Sequence, residues 1–441
     1  MLGTMLTNRK NNKFKRIPMF NIQDLHLEKE LLPLIDFTPN EFSRKTLQEL
    51  IKQPLGSIEE ILHRQLILKG FIANNAIFKN YTYSRRELLE VLSFLKPENF
   101  NDNPKRNQRL RLLFSEQSRH RKASNLIQAV LFLNRIQLFF IARINLAVFP
   151  ENYKKVLINI NDFLSGLNLP KYELLIREQN FKVKHILELS DLFAEAIVNG
   201  EFEKFWKHFF LFEAYLSISL GILKHEWAFP TFSKKGFTLI EFYHPMLLNP
   251  VSNSFTTNSN VILITGPNMS GKSTFLKAVG LCIFLGHIGL GVPAKKAEIP
   301  FVDTISISIN LNDDILSGYS HFMTELINLK KVITEAAENN YCFAVFDELF
   351  RGTNNEDAIE ISATTIKGLT KFKNSIFLIS THLQELKELA EVKEGKIATF
   401  YIDCELKNNN PKFTYELKEG WSNLKVGRIL FEKEGLNKLL G

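Results

Sequence analysis

Apolar positions along this chain follow two different periods, and the change falls near residue 237. From about residue 38 to 235 they recur every three or four residues, the spacing of one helix face. Phe42, Leu47, Leu50 and Ile51 mark a first helix that Asn40 can cap, and Pro54 with Gly56 end it. Ser57-x-x-Glu60 and Ser84-x-x-Glu87 read as capping boxes, opening helices that reach about Ile72 and Leu95. After the polar stretch Pro97–Pro104 comes a basic segment, and then a long apolar helix through about Val148. Helices over roughly 181–198 and 202–223 are parted by Asn199-Gly200, a C-cap signal. Residues 1–37 give only an irregular or loosely helical lead-in.

Beyond residue 237 short apolar runs replace the helical stripe. Phe237 to Tyr243, Val261–Ile264, Thr304–Ile309, Phe343–Phe346 and Ile376–Ser380 read as strands, with helical stretches between them. Strands alternating with helices predict an α/β domain built on a largely parallel sheet. The chain therefore divides into a lead-in (1–37), an all-helical domain (38–235) and an α/β domain (236–441). At 441 residues it is too long for a single core.

The second run is followed at once by Gly266-Pro267-Asn268-Met269-Ser270-Gly271-Lys272-Ser273-Thr274, a G-x-x-x-x-G-K-[ST] loop. A buried strand, a glycine-rich turn and a helix in that order aim backbone N–H groups at phosphates. Lys272 brings a point charge to the β- and γ-phosphates, and the Ser273 hydroxyl can ligate Mg²⁺. The strand from Tyr341 to Phe346 ends in Asp347-Glu348; the first carboxylate can hold the metal and the second can orient or deprotonate a water. Thr381-His382 closes the next strand, where an imidazole can reach the γ-phosphate or that water. These residues predict a P-loop ATPase that uses ATP and Mg²⁺. The turn from Asn312 to Glu325 opens another helix, and it has a use if paired subunits share a site.

Charge adds a partner. The net charge is +8, but residues 1–250 carry 35 Lys and Arg against 25 Asp and Glu, while the remainder is slightly acidic. Lys105, Arg106, Arg109, Arg111, Arg119, Arg121 and Lys122 concentrate the excess. Charge alone leaves two readings open, a nucleic-acid backbone or a solvated basic helix face. No run of 18 apolar residues lacks charge, since Arg135 and Arg143 interrupt Val130–Phe149 and Glu213 interrupts Phe209–Leu223. Buried helices are expected there and no membrane span. With no apolar stretch after the basic start, a secretory signal is not expected and the cytoplasm is the default. Cys282, Cys342 and Cys404 are too scattered for a zinc site, so reduced thiols are expected.

Taken together, Gly266–Thr274, Asp313-Asp314, Ser317-Gly318-Tyr319-Ser320, Phe322-Met323, Asp347-Glu348, Arg351-Gly352-Thr353 and Thr381-His382 resemble the ATPase domain of MutS-type DNA mismatch-repair proteins. The resemblance spans about residues 237–430 and reaches the helical half more weakly, at Thr46–Ile61 and Phe212–Ser217. It implies an ABC-type ATPase domain preceded by lever and core helices, and a homodimer with composite sites. Lys272, Ser273, Asp347, Glu348 and His382 would act in one subunit, with Ser320 contributed by the other. Phe255 falls where the family places an apolar group against adenine. ATP would close the dimer and move helices that grip double-stranded DNA, mismatched or branched. Ser270 stands in place of the family's second loop glycine, which requires a negative φ there. The family's mismatch-reading domain does not fit in residues 1–37, and the clamp region looks reduced to little beyond 101–170. Action on branched or recombining DNA, or a nucleotide-gated module that binds only protein, therefore stands beside mismatch repair.

Overall fold

The computed structural model describes residues 19–100, 115–233, 236–309, 321–338, 340–350, 352–407, 410–422, 424 and 426–440. These fall into two compact units that divide at Leu31/Leu32, Lys52/Gln53, Leu62/His63 and Lys224/His225.

A three-residue strand, β1 (Met19–Asn21), precedes the helical part. The longer helices that follow are α1 (Glu41–Lys52), α2 (Ile58–Ala73), α3 (Arg85–Phe94), α4 (Glu116–Phe139), α5 (Glu151–Gly166), α6 (Leu169–Arg177), α7 (Val183–Val198) and α8 (Glu201–Lys224). Asn40 caps α1 as expected, its Oδ1 accepting the Phe42 and Ser43 amides at 2.9 Å each. Ser57 likewise accepts the Glu60 amide at 3.2 Å. Ser84 makes no cap to α3, and Glu87, the other half of that expected box, pairs instead with Arg135 of α4 at 2.5 Å. Tertiary pairing has overridden the local motif.

The core of the helical unit is aromatic. Phe212 of α8 lies 5.3 Å from Phe71 and 5.7 Å from Phe78, ring centre to ring centre. Each such fully buried ring stabilises the unit by about 1.5–3 kcal/mol. Close approach matters as much as bulk: a Cβ on Gly221 would lie 2.8 Å from the Leu34 carbonyl oxygen and the Ile35 Cα. Among the described residues one helical stretch, Glu116–Arg143, is long and apolar enough to cross a membrane, and 56% of its apolar window is buried in protein.

The other unit holds ten further strands: β2 (Thr231–Ser233), β3 (Phe237–Phe242), β4 (Asn253–Thr257), β5 (Val261–Thr265), β6 (Lys296–Pro300), β7 (Thr304–Ser308), β8 (Cys342–Asp347), β9 (Ile376–Ser380), β10 (Ala398–Lys407) and β11 (Asn410–Glu419). Helices α9 (Lys272–His287), α10 (His321–Ala337) and α11 (Asn355–Leu369) cross between strands of the larger sheet. That sheet runs β1-β7-β8-β9-β5-β10-β11, parallel except for β11. A smaller sheet runs β2-β6-β3-β4. All five residues of β5 are buried, as a strand covered on both faces requires. The chain is thus a helical region followed by a mixed α/β domain, as its hydrophobic periods predict.

Four segments depart from the expected boundaries: residues 32–37 belong with the helical unit, and 19–31, 53–62 and 225–233 with the α/β unit. Residues 19–31 belong with the α/β unit, where β1 pairs in parallel with β7 and the Asp24 carboxylate accepts the Ile309 amide at 2.7 Å. Residues 225–233 belong there too, because Ala228 bridges to Val292 and β2 pairs with β6. The three cysteines are free, as expected.

Candidate functional site

The site forms where β5 runs into α9. The chain reverses at Gly266 (φ 144°), Met269 (φ 69°) and Gly271 (φ 98°), and α9 begins at Lys272. The left-handed turn falls on Met269, so Ser270 stands outside it and its replacement of glycine carries no strain. Gly271 precedes the helix without any side-chain cap, which leaves the first N–H groups of α9 available to an anion.

Lys272 is 5% exposed. Its ammonium donates to the Gly266 carbonyl at 3.0 Å and the Pro267 carbonyl at 3.3 Å, and lies 3.6 Å from Glu348 Oε1. The Ser273 hydroxyl donates to Asp347 Oδ2 at 2.5 Å. Asp347 ends β8, and its other oxygen accepts a hydrogen bond from the Ser380 hydroxyl at the end of β9. Ser380 Oγ in turn accepts the Glu348 amide at 2.9 Å. Glu348 takes a left-handed backbone (φ 54°), and so does Phe350 (φ 66°). Such positions cost about 1–3 kcal/mol and persist where neighbours fix them. Ser380 fixes the first, and Glu325 of α10, accepting the Phe350 amide at 2.8 Å, fixes the second. His382 Nδ1 lies 3.9 Å from Glu348 Oε1, its side chain half exposed.

These groups face a cleft of about 460 Å³ in which Lys272, Ser273, Asp347 and Glu348 meet Ile309 and Tyr415. Beside it lies a second, apolar cavity of about 380 Å³, walled by Phe242, Tyr243, Val251 and Phe275. Gly271, Thr274 and Tyr415 line both, so the two spaces meet at the loop. His244 also lines the apolar cavity, held by Glu30 at 3.3 Å.

The structure brings together Gly271, Lys272, Ser273, Thr274, Asn268, Met269, Asp347 and Glu348 around one cleft, with His382 at its edge. It corrects Phe255, which lines neither space. Phe255 lies on β4, where it pairs with Leu239 and points inward. There it packs on Phe237, Phe242, Phe275 and Phe400. Ser320, Lys105, Arg106, Arg109 and Arg111 lie outside the described residues. Of the remaining basic cluster, Arg121 is exposed on α4, whereas Lys122 donates to the Asn99 carbonyl at 3.2 Å and sits 3.7 Å over the Phe100 ring. Sequence reasoning missed Tyr415 and Ser380. Ser380 had a signal in its place just before Thr381-His382; Tyr415 had none near the loop.

A mixed α/β domain whose glycine-rich loop faces an acidic strand end across a polar cleft is the class this unit defines. Residues 262–436 match the MutS domain V family. Two similar curated proteins carry the name DNA mismatch repair protein MutS. That of Bacillus subtilis (strain 168) is 34% identical over 206 residues, covering 45% of this chain and 24% of the relative. That of Persephonella marina is 28% identical over 341 residues, covering 74% of this chain and 39% of the relative. Residues 262–436 are thus a MutS domain V, and the chain spans well under half the length of those relatives.

Proposed function

We propose that this chain is an ATP-hydrolysing switch that binds DNA, and that it works as a homodimer in the manner the MutS family implies. The observation that carries the reading is the meeting of Lys272, Ser273 and Asp347 at the uncapped start of α9. Lys272 and the loop amides hold the β- and γ-phosphates. The hydroxyl of Ser273 and the carboxylate of Asp347 are hard oxygen donors within contact of each other, and they fit Mg²⁺, which takes one or two protein oxygens besides phosphate and water. When bound, the ion neutralises charge on the phosphate oxygens. Glu348 orients the attacking water and accepts its proton, and His382, 3.9 Å from Glu348, registers loss of the γ-phosphate. The adenine enters the apolar cavity, and Tyr415 offers its ring at the junction. Ser320 acts across the dimer on the partner's γ-phosphate, as the family implies.

Titration of the full chain with a fluorescent ATP analogue, followed by phosphate release with and without duplex DNA, tests this reading. Saturable Mg²⁺-dependent binding and turnover are expected. Absence of binding in saturating Mg·ATP, or a chain that stays monomeric there with Glu348 disabled, would overturn it. For DNA, the basic segment around Arg119 and Arg121 predicts affinity that falls with salt, with a log–log slope of roughly −0.9 per phosphate neutralised. Competition among homoduplex, mismatched and branched DNA at fixed salt measures which structure is preferred. A slope near zero favours the nucleotide-gated protein-binding module.

A further inference from the structure

Strands β4 and β11 are the exposed edges of two different sheets, and one side chain joins them. Asn253, the first residue of β4, donates from Nδ2 to the Tyr415 carbonyl at 3.0 Å. Its Oδ1 accepts the Leu417 amide at 2.7 Å. A carboxamide presents donor and acceptor in one plane, so it pairs with an edge strand as another backbone would.

The bonds fall where the ladder fails. β11 pairs with β10 at Phe413↔Cys404 and resumes at Leu417↔Ile402, which leaves three residues opposite Asp403 alone. Tyr415 is the middle residue of that bulge, and its backbone is left-handed (φ 61°). For a bulky residue this conformation costs about 1–2 kcal/mol and does not hold itself. The ring packs close against Gly271, where a Cβ would lie 3.2 Å from its Cδ1. Tyr415 is 47% exposed and borders both the polar cleft and the apolar cavity.

We propose that Asn253 is a positioning residue that holds Tyr415 over the loop, and so makes the site prefer a nucleoside triphosphate to a bare triphosphate. This rests on the nucleotide reading above. An aromatic ring fixed at the junction stacks on a base, and the same ring on an unclamped bulge must be ordered at each binding event. Bare triphosphate touches only the loop, Lys272 and Ser273, so Asn253 has no influence on it.

The test uses the full chain and two probes, ATP and inorganic tripolyphosphate, with binding read by calorimetry. Asn253→Ala is expected to weaken ATP on the order of tenfold, within the worth of one base–aromatic stack, and to leave tripolyphosphate unchanged. Tyr415→Ala should give the same selective loss, and the double variant should lose no more than either single one. Asn253→Asp keeps the volume and the acceptor for Leu417, and supplies the comparison should the alanine variant fold poorly. Unchanged ATP affinity, equal loss of both probes, or additive losses would overturn the proposal. Wild-type protein that binds neither probe would instead overturn the nucleotide reading.

Discussion

Lys272→Ala should abolish ATP binding, whereas Glu348→Ala should bind ATP at least as tightly as wild type yet turn it over ~10²–10⁴-fold more slowly. The contrast follows from one contact. The Lys272 ammonium sits on the Gly266 and Pro267 carbonyls, 3.6 Å from Glu348. A triphosphate must draw that ammonium partly away from Glu348. Removing the lysine takes away the one cation on the loop and leaves Asp347 and Glu348 facing an anionic ligand uncompensated. Removing Glu348 deletes a competitor for the lysine and a like charge beside the phosphates, so affinity holds or rises. Turnover falls because the remaining carboxylate, Asp347, is committed to the Ser273 and Ser380 hydroxyls. Equilibrium titration and single-turnover phosphate release separate the two effects. Unchanged ATP affinity in Lys272→Ala contradicts the loop assignment, and unchanged turnover in Glu348→Ala removes that residue from the chemistry.

Much of this site was legible in the chain because its parts are local. Val261–Ile264 and Phe343–Phe346 are apolar runs that only doubly covered strands need, and each leads directly into its chemistry. The residues that escaped notice are those whose role depends on a partner far along the chain. Tyr415 reaches the loop only through a bulge and a side chain 162 residues away. Phe255 was legible as apolar, but its facing is set by register against Leu239, which the stretch around it does not reveal by itself. The strand at Met19–Asn21 is three residues long, too short for any period, and gains its identity from pairing with β7. Glu87 shows the reverse case, in which a sound local motif yields to Arg135 on another helix. Glu213 sat in plain view as the acidic residue of an apolar helix. What it does there depends on three side chains from α1's cap and the segment before α3.

Raising the pH is expected to weaken the helical unit through that residue. Glu213 is 1% exposed in the middle of α8, with Asn40 Nδ2 donating to it at 2.8 Å, Tyr81 at 2.7 Å and Tyr83 at 2.6 Å. Burial pushes its carboxyl up to about 7 from the ordinary 4.5, against the opposing pull of hydrogen bonds from Tyr83, Tyr81 and Asn40. Between those values the native state keeps a proton that the unfolded chain has released. Stability is therefore full below 4.5, falls as pH rises, and the loss is complete above about 7. It amounts to about 3 kcal/mol. His287 in the α/β unit does the opposite. It is wholly buried, with Nδ1 2.7 Å from the Ile283 carbonyl while Nε2 accepts the Val302 amide at 2.9 Å. Burial lowers its value from 6.5 to about 4, so its contribution is present above 6.5 and disappears as pH falls toward 4. That change is also about 3 kcal/mol. The two units should respond to pH with opposite signs between about 4.5 and 6.5. Amide exchange read on peptides from α8 and α9 separately, and corrected for intrinsic rates, measures both slopes. Glu213→Gln should flatten the first and leave the second. Glu213→Ala should cost the helical unit about 3–5 kcal/mol near pH 5, because three buried donors lose their acceptor together. An α8 slope that survives in Glu213→Gln would show that the carboxyl does not titrate there, and that its donors hold it charged despite its burial.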